Sequence, residues 1–81
     1  MSITGLGRIQ KKFQNVTLTN GEVKNCEVVY RLGWMFYQDR LVVAWIPVKA
    51  CGMLLTNVRY ESGAWTADQC RLESKPPQAG R

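Results

Sequence analysis

The chain has no histidine, and its cysteines number only three, with no Cys-x-x-Cys pair. Losing histidine removes the commonest general base and the commonest nitrogen ligand for metals. A tetrahedral zinc site would then need three distant thiolates and a carboxylate, outside the usual structural spacings. Neither a metal nor a cofactor is expected. Catalysis is not expected either: Ser2, Ser62 and Ser74 fall in arms or turns without a base beside them. Lys49 reads as a solvated turn residue and Cys51 as a packed one, since an activated nucleophile needs a desolvated or charged setting that the sequence does not show.

Cys26, Cys51 and Cys70 are odd in number and widely spaced, and the start of the chain carries no apolar leader. That usage fits a reducing compartment, so a cytoplasmic protein with cysteines packed as small hydrophobes is expected, the alternatives being one disulfide with a leftover thiol or an intermolecular bridge. Long apolar runs are also missing. The longest, Leu41 to Val48, spans eight residues, against the roughly 20 needed to cross a bilayer as a helix.

Acidic residues are scarce, six against eleven basic ones, for a net charge of +5. All of the excess lies at the ends: Arg8, Lys11 and Lys12 in residues 1–12, and Lys75 and Arg81 in residues 74–81, with no acid in either segment. The middle is neutral. Its Lys24, Arg31, Arg40, Lys49, Arg59 and Arg71 are balanced by Glu22, Glu27, Asp39, Glu61, Asp68 and Glu73. Composition thus divides the chain into a flexible basic arm (1–12), one compact domain (13–73) and a disordered tail (74–81) containing Pro76-Pro77.

What the middle does contain is β-forming. Val16-Thr17-Leu18-Thr19-Asn20-Gly21 alternates into an Asn-Gly turn, and Val23, Cys26 and Val28 resume beyond it, which predicts a β-hairpin. The alternation slips between Val23 and Cys26, predicting a bulge near Lys24-Asn25. Residues 29–47 hold five of the eight aromatics, and strands are predicted at about 23–31, 34–38 and 41–46. Trp34 and Phe36 then share one face with Met35 and Tyr37 on the other, and Leu41, Val43 and Trp45 oppose Val42, Ala44 and Ile46. With both faces apolar, the last of these strands is expected to be central or covered by another element or chain. One helical turn is predicted at 47–51 (a helix from 47 to 58 being the rival), a strand at 53–60, and a short helix at 67–73 behind a Thr66-x-x-Gln69 capping box. The expected architecture is mainly β: a small five-stranded SH3-like barrel or strongly bent antiparallel sheet with a short C-terminal helix.

The stretch Val16 to Val28, with its Val-x-Leu-x-x-Gly strand and turn and Cys26 five positions later, resembles the first motif of Sm-like proteins. The Asp-x-x-Asn element that follows in that family is absent, as is its second RNA-binding motif, so the resemblance carries over no RNA-contacting residue.

These features favour a non-catalytic binding module working through protein–protein contact, an adaptor or inhibitor that occludes a larger machine as small proteins of mobile elements do. The aromatics exceed what so short a chain readily hides, and surplus Trp, Tyr and Met is the composition of interface cores. Trp34, Phe36 and Trp45 are each expected in the core, leaving Tyr30, Met35, Tyr37, Tyr60 and Trp65 as the expected interface. Self-pairing of an open strand at 53–60 would give a homodimer. The alternative is nucleic-acid binding by Arg8, Lys11 and Lys12 of the arm, with Arg31, Arg40 and Arg59 converging on one rim of strand ends.

Overall fold

The computed structural model describes residues 7–77, and among them no helix is present. The arm and tail expectations that fall on residues 1–6 and 78–81 lie outside the described residues. Seven strands, β1 (Ile9–Leu18), β2 (Val23–Tyr37), β3 (Arg40–Ala50), β4 (Met53–Leu54), β5 (Arg59–Glu61), β6 (Ala64–Thr66) and β7 (Cys70–Glu73), form one antiparallel sheet curled into a half-barrel. Their order is β4-β3-β2-β1-β7-β6-β5. The mainly β expectation holds at that level, while the count of five strands and the C-terminal helix do not.

The β1–β2 hairpin runs in unbroken register from Thr17 opposite Val23 to Ile9 opposite Arg31. Residues 9–12 are therefore paired strand, not arm. Of the Asn20-Gly21 dipeptide only Gly21 takes a positive φ, 89°, while the Asn20 side chain accepts a hydrogen bond from the Glu22 N–H. The slip in alternation has a simpler outcome: Val23 lies on the face opposite Cys26 and Val28 and is left exposed. No bulge forms at Lys24-Asn25; the irregularity lies instead opposite Val29 and Tyr30, where Lys49 and Pro47 are their partners and Val48 is left over. Gly33 does not end a strand, so the stretches predicted at 23–31 and 34–38 are one continuous β2.

Pro47 sits inside β3 and the chain stays extended through Ala50, so neither the helical turn nor the longer rival helix forms. The segment 53–60 is broken into β4 and β5 rather than forming one strand. The connector between them is held by the residues expected to cap a helix. Gln69 donates to the Leu54 carbonyl and accepts from the Thr56 N–H, and Asp68 accepts from Thr56 Oγ1 and Asn57 Nδ2. Ala67 and Cys70 meanwhile exchange backbone hydrogen bonds across a tight turn. Those side chains and amides, committed to a neighbouring segment, cannot also start a helix.

The core gathers Val16, Val28, Tyr30, Ala50, Trp65, Cys70 and Leu72. Burial changes face partway along β2. Val28 and Tyr30 are covered near its start, but Met35 and Tyr37 are the more covered residues near its end, where their neighbours Trp34 and Phe36 are exposed. Because side chains alternate along a strand, the covered face at the far end is the opposite one. There β5 brings Tyr60 edge-on to Tyr37 at 5.6 Å, and Tyr60 in turn meets Trp65 at 5.2 Å.

Cys26 and Cys51 are paired as a disulfide with a Cα–Cα separation of 5.2 Å, joining β2 to the β3–β4 turn. Only Cys70 is a free, buried thiol, and burial pushes its pKa up. The expectation of three lone packed cysteines is thus corrected. The argument that led from them to a reducing cytoplasm goes with it, because disulfides persist in oxidising surroundings.

Candidate binding face

Residues directly opposite across an antiparallel ladder share a face. In the far half of the β2–β3 ribbon the register pairs Leu32 with Trp45, Trp34 with Val43 and Phe36 with Leu41. All six are apolar. Trp34 is 49% exposed, Phe36 74% and Leu41 50%, with Leu32, Val43 and Trp45 half-buried beside them. This is one continuous uncharged patch on the face opposite the covered one. It runs into a groove of about 510 Å³ lined by Lys12, Tyr30, Leu32, Trp45, Pro76 and Pro77.

The expected interface residues are divided by the fold. Tyr30 and Trp65 are each 3% exposed and belong to the core, while Met35, Tyr37 and Tyr60 are half-buried on the side where β5 packs. They do not form one open patch. The residues that do, Trp34, Phe36, Leu41 and Val43, include two expected in the core. Alternation had placed Trp34 with Phe36 on one face of their strand and Leu41 with Val43 on one face of theirs, but a strand pattern does not say which of two apolar faces is covered.

Tyr30 anchors the groove. Its hydroxyl donates to Gln14 Oε1, and the Lys12 ammonium stands 5.5 Å from the ring centroid. Burial pushes its pKa up to about 12, with the Gln14 hydrogen bond opposing. Because the folded value exceeds the unfolded one, near 10, the neutral phenol contributes stability that is complete below pH 10 and lost as pH rises through 12. The wild type is therefore expected to lose stability between pH 10 and 12 more steeply than Tyr30→Phe. Thermal melts of both across that range check it, and parallel curves would refute it.

The cations proposed for nucleic acid scatter. Lys11 and Arg31 lie on the outer face, where Lys11 and Lys49 flank Val29, whereas Lys12 is on the other face, over Tyr30. Arg31 is opposite Ile46 and Arg40 opposite Tyr37, about 20 Å apart along the strand. Arg59 is paired with Glu61 at 3.2 Å, and Arg8 is exposed where its carbonyl accepts from the Leu32 N–H. No single rim collects Arg31, Arg40 and Arg59. Comparison with protein-family models, curated proteins and solved structures finds no match.

Proposed function

We propose that this chain is a non-catalytic binding module that engages a protein partner through the exposed face of the β2–β3 ribbon, acting as an adaptor or as an inhibitor of a larger complex. The observation that carries this reading is the patch formed by Trp34, Phe36 and Leu41 with Leu32, Val43 and Trp45. Monomeric proteins seldom leave a contiguous apolar area uncovered, and buried Trp with rigid aromatic neighbours supplies most of the energy at interfaces. The adjoining groove, with an aromatic floor and Lys12 at its edge, gives an incoming chain both apolar area and a polar contact that fixes its direction.

Phe36→Glu tests it. The side chain is mostly in water, so the melting temperature is expected to stay close to wild type, while a charge set into the centre of an apolar contact is expected to weaken partner binding at least tenfold. Affinity capture from the cells that encode the chain, with nuclease added, is expected to recover a protein partner with wild type and lose it with Phe36→Glu. Equal recovery by both chains, or recovery abolished by nuclease alone, would overturn the reading.

A further inference from the structure

Among the described residues, the outer edge of β3 is open along most of its length. Its only neighbour on that side, β4, pairs with Lys49 and Ala50, and one further bond joins the Leu55 N–H to the Val48 carbonyl. Among the described residues, no strand pairs with Leu41 to Ile46 on that side.

The turns at the two ends of β3 fix which backbone groups face outward. Gln38 and Asp39, both at positive φ (53° and 63°), make a two-residue turn. Such a turn makes its flanking residues, Tyr37 and Arg40, a hydrogen-bonded pair. Counting from Arg40, the N–H and C=O groups of Val42, Ala44 and Ile46 point at β2, and those of Leu41, Val43 and Trp45 point away. At the other end the Cys51-Gly52 turn, also at positive φ, makes Ala50 face β4. The two counts disagree by one residue, and the leftover Val48 at the bulge accounts for it. Pro47 then faces outward, where its missing N–H takes nothing from the β2–β3 ladder.

We infer that two copies of this chain pair β3 against β3, antiparallel, about a two-fold axis at Val43. In that register Val43 meets Val43 and Leu41 meets Trp45, so every outward N–H of the three residues finds an outward carbonyl on the other copy. Arg40 falls opposite Ile46, which keeps the two Arg40 guanidinium groups apart, and no other charged residue lies between Leu41 and Val48. A slide of two residues sets Leu41 against Pro47, which cannot donate. Trp45 then meets the smaller Leu41, Val42 meets Ala44, and only the two Val43 side chains at the axis are alike. The other long strand with an open side, β1, carries Lys11 and Lys12, the charges that ordinarily protect an edge; β3 has none there. The paired ribbons would join two apolar faces into one of double width. This inference stands on backbone geometry and is independent of the partner reading.

Val43→Pro removes one outward N–H and leaves the β2 ladder and Phe36 untouched. Sedimentation of the full chain is expected to give twice the 9.2 kDa chain mass at micromolar concentration for wild type and for Phe36→Glu, and the single mass for Val43→Pro. Should Val43→Pro fail to fold, Val43→Lys, which sets two like charges together at the axis, is expected to be folded and monomeric. Amide exchange adds the register: Leu41, Val43 and Trp45 are expected to be protected only in the dimer, and Val42 and Ala44 in both states. A wild-type monomer, a dimeric Val43→Pro or Val43→Lys, or uniform protection of 41–45 in a monomer would overturn the inference.

Discussion

Trp65→Ala is expected to be the most damaging single substitution, lowering the melting midpoint by about 20 °C or more. Trp65 is 3% exposed, packs edge-on against Tyr60, and stands in the same cluster as Tyr30 and Leu72. Removing a buried tryptophan costs about 3–5 kcal/mol, and a chain of this size commands a total stability of roughly 4–12 kcal/mol. The loss takes a third or more of that total over most of the range and all of it at the low end. Trp34→Ala, at a half-exposed position, is expected to change stability by less than about 1 kcal/mol. Near-ultraviolet circular dichroism and denaturant melts of the two variants side by side check the contrast. A wild-type melt for Trp65→Ala would remove Trp65 from the core assigned to it.

Reduction is expected to have the next largest effect. The Cys26–Cys51 bond closes a loop across a sequence separation of 25, for which loop entropy gives about 3 kcal/mol of stabilisation. At roughly 4–8 °C per kcal/mol for a domain of this length, reductant is expected to lower the midpoint by about 15 °C. Cys26→Ser with Cys51→Ser should reproduce that drop without reductant and make the chain insensitive to it. Thiol counting on the native, unreduced chain should find no reactive group, since Cys70 is buried and burial pushes its thiol pKa up. Three titratable thiols in the unreduced chain would refute the pairing. In a reducing compartment this contribution is at the mercy of the local thiol pool.

The two results bear on how much was legible in the residues. The hairpin from Val16 to Val28 was, because alternation and an Asn-Gly turn act over a dozen neighbouring positions. The two-faced character of Leu41 to Ile46 was legible for the same reason. The short strands β4, β5 and β6 were not, at two or three residues each; a segment that brief carries no periodicity, and its conformation is set by what it pairs with. The Thr66-x-x-Gln69 pattern was a sound local signal that lost to Gln69 and Asp68 binding the Leu54–Asn57 connector, contacts more than ten residues away in sequence.

The candidate site shows the same division. Trp34 and Phe36 were read as core because large aromatics usually are, and Tyr30 and Trp65 as surface. The fold reversed both assignments. The sequence by itself determined that the chain is mainly β, that histidine chemistry is absent, that its charge excess sits at its ends, and that the β2–β3 ribbon is apolar on both faces. Those properties follow from composition and from a period of two, which any strand must obey. Only the tertiary structure decided which face β5 covers, which cysteines meet, and that no other described strand covers the outer edge of β3 along Leu41 to Ile46. Each of those depends on which distant segment arrives beside the ribbon, and the packing of distant segments is a property of the whole chain.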